Sequence, residues 1–264
     1  MVSLSFGAVP YGKIIYAHRG ASRELPENTL EAFALARELG AGAIETDAHL
    51  TRDGHVVLSH DPSGNRMAGV DRNICDTTLG EIRRWNMGAR FSGAEVSQAT
   101  HFAMPTLSEA LDAFPDVLFN VDAKQVEPDM MPALLRCIRR RDACSRVRIA
   151  SFSTKNLKRA RSLGYEGPTG LSAPEVALAL TRPLALARKF PVAGDAVQIP
   201  LSAYGVRLAT PGKIARFHAL GLRVDFWTVD DPALANTLFS IGADGIMTDD
   251  VRAICSRSRV SPDF

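Results

Sequence analysis

Short apolar or β-branched runs that end in polar residues alternate along the chain with longer stretches in which apolar positions recur every three to four residues. The first pattern suits strands buried in a parallel sheet, and the second suits amphipathic helices. Together they predict strands at 14–17, 43–47, 118–123, 148–152, 169–172, 196–200, 223–229 and 245–248. Helices are predicted between them at 30–39, 106–114, 131–141, 154–163, 174–189 with a break at Pro183, 211–220, 231–241 and 250–256. Leu30, Phe33, Ala34 and Arg37 are spaced for one helix face, as are Ile214 and Phe217. Gly40, Gly164, Gly221 and Gly242 each fall just past a predicted helix, where left-handed caps occur.

Parallel neighbours need helical crossovers, so eight strands alternating with eight helices predict a closed α/β barrel of the (β/α)8 TIM type. An open doubly wound sheet is the alternative, but no G-x-G-x-x-G follows the first strand. Glycine and proline are spread through the chain and no repeat is visible, so a single domain over residues 1–264 is expected. The stretch 48–105 breaks the alternation. It is far longer than a βα loop of about two to six residues and is expected to be an insertion on the active-site side of the barrel.

Composition narrows the classes. With 46% hydrophobic and 23% charged residues, and 31 Lys+Arg against 29 Asp+Glu, the balance is that of an ordinary globular chain and excludes disorder. The longest apolar run is five residues, against about 20 for a spanning helix, so no membrane segment is predicted. A net charge of +2, with no basic block longer than Arg139 to Arg141, gives no electrostatic footprint for nucleic acid. Cys75, Cys137, Cys144 and Cys255 match neither a zinc spacing nor a disulfide framework and are read as reduced thiols. The start MVSLSFGAVPYGK lacks the basic and apolar regions of a secretory signal, so a cytoplasmic chain is expected.

Barrel enzymes place their chemistry at the C-terminal strand ends. Here the first strand delivers His18-Arg19-Gly20, the second Glu45-Thr46-Asp47 and the third Asp122-Ala123-Lys124. Glu45 and Asp47, two apart, share one strand face. Asp53-Gly54 suits a two-residue type I′ turn. Folding about that turn would set His60 opposite Asp47, and a bulge would shift the register by one. A single acid at such a place is most simply a solvated loop residue or a helix cap. Three together repel unless neutralised, and oxygen ligands suit hard cations, so Glu45, Asp47 and Asp122 read as a Mg2+ or Ca2+ site. His18 and His60 beside this site suit an acid and a base, with Arg19 able to clamp a phosphoryl group and Lys124 acting as a point charge. His49, His55, His101 and His218 have no such neighbours and are read as structural.

At these residues the sequence resembles the glycerophosphodiester phosphodiesterase family. The matching pieces are His18-Arg19-Gly20, Pro26-Glu27-Asn28-Thr29, Glu45-x-Asp47, Thr51-Arg52-Asp53-Gly54, His60-Asp61-Pro62, the run from Asn120 to Lys124, the run from Trp227 to Asp230 and the run from Gly242 to Asp249. The resemblance implies a barrel of this type, a divalent cation, and hydrolysis of glycerophosphodiesters to sn-glycerol 3-phosphate and an alcohol. It also implies that His18 and His60 are the acid/base pair, that Glu45, Asp47 and Asp122 are metal ligands, and that Arg19 and Lys124 contact phosphate. The third-strand acid is usually glutamate in that family; Asp122, one methylene shorter, would ligate through a water or draw the metal toward its strand. By the same resemblance the first nucleophile would be the substrate's own 2-hydroxyl, giving a cyclic phosphate that water opens.

Asn28, with Glu31 three residues on, is read as a helix cap. Trp227 is a candidate floor for the glycerol pocket, against the alternative of a buried barrel aromatic, and Gln198 and Phe152 are weaker candidates of the same kind. Two rival readings stand beside the first. One is a phospholipase D-type enzyme acting on lysophospholipids or sphingomyelin; the other is a non-catalytic phosphoglycerol-binding protein. Competition between glycerophosphocholine and a lysolipid discriminates the former, and product formation excludes the latter.

Overall fold

The structure, a computed structural model, describes residues 12–93 and 100–257. The N-terminal segment 1–11, on which the expectation about a secretory signal mostly rested, lies outside the described residues, as do 94–99 of the expected insertion. The strands are β1 (Ile14–His18), β2 (Ala43–Leu50), β3 (Val56–Leu58), β4 (Leu118–Ala123), β5 (Val147–Ala150), β6 (Ala196–Pro200), β7 (Ser202–Ala203), β8 (Val206–Arg207), β9 (Arg223–Trp227) and β10 (Gly245–Thr248). The helices are α1 (Leu30–Glu38), α2 (Asn65–Ala68), α3 (Leu79–Ile82), α4 (Leu107–Ala113), α5 (Met131–Arg139), α6 (Thr154–Ser162), α7 (Ala173–Thr181), α8 (Leu184–Lys189), α9 (Pro211–His218), α10 (Pro232–Ser240) and α11 (Val251–Arg257), with a 3-10 turn at Ile74–Asp76.

Seven parallel strands run in the order β5, β4, β2, β1, β10, β9, β6. Thr169 and Gly170 close the ring by parallel bridges to Ile149 of β5 and Ala196 of β6. The fold is therefore the expected TIM-type barrel, but the strand expected at 169–172 is reduced to these bridging residues. Its end is taken by the next helix: Ser172 caps α7 in a reciprocal box with Glu175.

The helices start and stop where local chemistry directs. Thr29, Ser153, Thr210 and Asp231 accept backbone N–H groups at the starts of α1, α6, α9 and α10. Pro183 parts α7 from α8, as expected. Gly40, Gly164, Gly221 and Gly242 all have positive φ. Apolar faces of these helices pack on the sheet in two large clusters, one around Phe33, Phe119 and Leu134 and one around Phe217, Val224 and Phe226.

Inside the barrel, Arg148 donates to the Tyr16 hydroxyl at 2.8 Å and lies 3.4 Å from Asp225 Oδ2, all three buried. Tyr16 and Asp225 lie two residues before His18 and Trp227 on the same strand faces, so this layer floors the rim above it. Burial pushes the Tyr16 phenol up to about 12 despite the adjacent arginine, which keeps it neutral.

The long connection after β2 builds its own structure. β2 runs on to Leu50 and pairs antiparallel with β3, setting Ala48 opposite Leu58 and Leu50 opposite Val56. This corrects the expected register. Thr51 N–H donates to the His55 carbonyl at 2.9 Å, so Arg52, Asp53 and Gly54 form a three-residue turn with Gly54 at φ 83°. The Asp53 carboxylate accepts from Thr51 Oγ1 at 2.7 Å and from Leu79 N–H at 3.0 Å, which binds the turn to α3. Ser59, not His60, therefore faces Asp47, donating its N–H to the Asp47 carbonyl at 3.0 Å. Val57, Met67, Ile74, Ile82, Trp85, Phe102 and Met104 form a separate small core beneath the stretch. Among the described residues no helix is long and apolar enough to cross a membrane.

Candidate active site

Residues from the C-terminal ends of β1, β2 and β4 meet at one end of a cavity of about 1030 Å3, which His18, Arg19, Glu45, Asp47, His60, Asp122, Lys124 and Trp227 all line. The sheet register explains the meeting. His18 is level with Glu45, and Asp47 with Asp122.

His18 Nδ1 is 2.7 Å from Asp249 Oδ1, and its Nε2 is 3.8 Å from Glu45 Oε2. A carboxylate only accepts, so Nδ1 carries the proton and Nε2 is left toward Glu45 and the cavity. Asp249 also accepts from Ser22 Oγ at 3.1 Å, and its own N–H donates to Asp230 at 2.8 Å. Burial opposes charge on both partners, yet the hydrogen bond to His18 holds the Asp249 carboxyl below its usual range, and the same bond with nearby Glu45 raises His18 above an ordinary histidine. His60 repeats the device: its Nδ1 is 2.9 Å from Asp61 Oδ1. His60 lies just past the β3 ladder, and its carbonyl is 3.3 Å from Nε2 of His49, whose imidazole burial pushes toward the neutral form.

The acids and bases are paired. Lys124 Nζ lies 2.9 Å from Asp47 Oδ1 and 2.6 Å from Asp122 Oδ2. Burial disfavours its charge, but these two carboxylates raise it well above an ordinary lysine. Arg19, at φ 60°, sets Nε 3.2 Å from Asp47 Oδ2 and Nη1 3.2 Å from Glu27. Glu27 pairs in turn with Arg66, which also holds Asp61, so three ion pairs run from Arg19 to Asp61, the hydrogen-bond partner of His60. Burial, and then the charge of Asp47, push Glu45 up to about 8. As the side chains stand, no three His, Cys, Asp or Glu among the described residues are grouped to hold an ion directly, because Lys124 lies between Asp47 and Asp122.

The family model described as the glycerophosphoryl diester phosphodiesterase family matches residues 18–253, a span that contains every one of these side chains. The chain belongs to that family. It is 35% identical over 247 residues to a probable glycerophosphodiester phosphodiesterase 2 of Mycobacterium tuberculosis, covering 90% of this chain and 88% of the relative. It is 29% identical to a glycerophosphodiester phosphodiesterase of Caldanaerobacter subterraneus, covering 93% of this chain and 98% of that one. Among solved structures it is similar to an Oleispira antarctica phosphodiesterase in complex with the product sn-glycerol-3-phosphate, with a TM-score of 0.75, 26% identity, and coverage of 92% of this chain and 96% of that chain.

In this phosphodiesterase the site differs from the sequence reading at Asn28. The helix cap is Thr29, which accepts from Ala32 N–H. Asn28, buried at φ 58°, donates to Asp47 Oδ2 at 3.1 Å and accepts from Thr46 Oγ1 at 2.6 Å. Asparagine tolerates the left-handed region and thereby turns its amide onto the carboxylate instead of the helix. Trp227 is half-buried and meets Phe152 edge to face at 5.7 Å; Phe152 and Gln198 line the cavity as well. Asp249, Asp61 and Ser22 were missed as site residues. His60-Asp61 adjacency was a usable signal for one of them; the other two needed the closure of β10 against β1.

Proposed function

We propose that this phosphodiesterase hydrolyses glycerophosphodiesters to sn-glycerol 3-phosphate and an alcohol, with His18 and His60 as the acid/base pair and with a divalent cation, Mg2+ or Ca2+. The observation that carries the reading is the meeting of His18, Arg19, Lys124 and three buried carboxylates at one end of the cavity. The donor set fits a hard cation: Asp122 Oδ1 is buried without a hydrogen-bond partner, and Glu45 is held near its proton by burial and by Asp47. Glu45, Asp47 and Asp122 would hold the ion, which when bound supplies charge stabilisation at a phosphoryl oxygen and a lower pKa for the attacking hydroxyl.

The chain's own groups do the rest. Arg19 and Lys124 bind and orient the phosphoryl oxygens, the former through its planar fork. With each Nδ1 occupied by Asp249 or Asp61, the two histidines work through Nε2: one takes the proton of the attacking hydroxyl and the other gives a proton to the leaving alcohol. Trp227 offers an apolar face to the carbon side of the glycerol.

The test is a panel of glycerophosphodiesters assayed on chelated protein with and without Mg2+ or Ca2+. Release of sn-glycerol 3-phosphate is expected only with metal, and His18→Ala and His60→Ala should each lower turnover about 10²-fold or more with the fold intact by circular dichroism. Activity that survives exhaustive chelation in metal-free protein overturns the cation, undiminished His60→Ala overturns that assignment, and no turnover of any diester overturns the function.

A further inference from the structure

We propose that Arg66, on the short helix α2 of the long connection after β2, is a positioning residue that sets both Arg19 and His60 for the reaction, Arg19 through Glu27 and His60 through Asp61. The inference rests on the reading that His60 exchanges a proton and Arg19 binds the phosphoryl group.

Three observations carry it. The first is how the guanidinium is used. Arg66 gives Nη2 to Glu27 Oε1 at 2.5 Å and Nη1 to Glu27 Oε2 at 3.1 Å, and its Nε goes to Asp61 Oδ2. One planar group thus holds two carboxylates in fixed directions, which a lysine ammonium cannot do.

The second is what those carboxylates do with their remaining capacity. Asp61 turns its other oxygen, Oδ1, to His60 Nδ1 at 2.9 Å. Burial opposes the Asp61 charge, yet the bonds from His60 and Arg66 hold its carboxyl below the usual range, so it stays an acceptor. Glu27 takes Nη1 of Arg19 on both oxygens, at 3.2 Å each. Shared between two arginines, Glu27 orients Arg19 without neutralising it. Without Arg66 the Glu27 carboxylate would bind Arg19 alone and compete with the phosphoryl oxygens.

The third is the mounting of Arg66. Met67, the next residue, is buried in the small core of the connection with Ile74, Ile82, Trp85 and Phe102. Gly64, just before α2, lies so close to Trp85 that a Cβ would come within 2.8 Å of the indole ring, and Arg90 Nη1 donates to the Asn65 carbonyl at 2.9 Å. The Arg66 side chain is nevertheless 46% exposed, where ion pairs add little to stability. Its pairs therefore bear on the site more than on the fold, and the small core gains a role: it aims one guanidinium at the rim.

The experiment measures kcat and KM for Arg66→Met, which keeps the stem and removes the charge, and for Arg66→Lys, which keeps the charge and removes the fork. Arg66→Met should lower kcat about 10-fold or more through His60 and raise KM about threefold or more through Arg19. Its melting temperature should stay within about 4 °C of the parent; a larger drop makes the role structural and overturns the proposal. Double variants separate the two arms. Added to Asp61→Asn, Arg66→Met should change kcat less than about twofold, and added to Glu27→Gln it should change KM less than about twofold. Losses that recur in full in either background overturn the bridge. Arg66→Lys should recover at most one of the two losses, and recovery of both overturns it as well. If Arg66→Met matches the parent, a large loss in His60→Ala overturns the bridge alone, whereas undiminished His60→Ala overturns the acid/base reading too. No turnover of glycerophosphocholine, glycerophosphoethanolamine or glycerophosphoglycerol by the unmodified protein overturns this inference and the hydrolase reading together.

Discussion

At the scale of single residues, the site turns on which nitrogen of each imidazole is free. The sequence offered His18 and His60 as candidates but not what orients them. Asp249 is 231 positions from His18, and only the pairing of β10 with β1 brings them together. Asn28 was misread for a related reason: its spacing to Glu31 is that of a capping box, and only its left-handed backbone shows that the amide goes to Asp47. Asp249→Asn preserves shape but removes the acceptor charge that fixes the His18 tautomer. Turnover should fall about 10-fold or more, with KM changed by less than about threefold and the melting temperature retained. The pH profile should move as well. The Asp249 bond favours the imidazolium, so its loss lowers the His18 pKa and shifts the limb that His18 governs to lower pH. An Asp249→Asn profile superimposable on the parent would mean that Asp249 only packs.

At the scale of elements, most strand and helix positions were legible because each depends on local periodicity, capping residues and terminal glycines; the strand expected at 169–172 was not, since only Thr169 and Gly170 bridge and Ser172 caps the next helix. The hairpin register was not. Asp53-Gly54 also serves a three-residue turn, which is held from within by Thr51 and from outside by the contact of Asp53 with Leu79 on α3, and no local pattern records the latter. Two glycines separate local from non-local demands. Gly54 at φ 83° has open space where a Cβ would stand, whereas at Gly20, φ 87°, a Cβ would come within 2.8 Å of the Ala32 backbone and side chain on α1. Gly54→Ala should therefore cost only left-handed strain, about 1 kcal/mol. Gly20→Ala adds overpacking against a helix behind His18 and Arg19 and should cost roughly 2–5 kcal/mol. Chemical denaturation of the two variants checks the order; equal losses would remove the close approach at Gly20 as a constraint on the site.

At the scale of the molecule, barrel closure was legible from eight alternations, but the use of its cavity was not. Val176 and Leu180 lie four apart within the helix expected at 174–189, a spacing that does not say what they face, and the folded barrel shows that both line the cavity. The net charge of +2 likewise hid the concentration of acids at one rim. That concentration has a thermodynamic consequence. Glu45 keeps its proton in the metal-free fold up to about 8, well above the 4.5 of an ordinary glutamate, because burial and Asp47 disfavour its charge. Between these values the folded chain binds more protons than the unfolded one, so stability should fall as pH rises through that window. Glu45→Gln, which cannot ionise, should lack this component and should match or exceed the metal-free parent near about pH 8. Added Mg2+ or Ca2+ would reward the ionised carboxylate, releasing a proton on binding and flattening the parent's slope. Melting curves of both proteins across this range, with and without metal, read the effect. Parallel metal-free curves would show that Glu45 is already ionised in the folded chain and that Arg19 and Lys124 suffice to neutralise the rim.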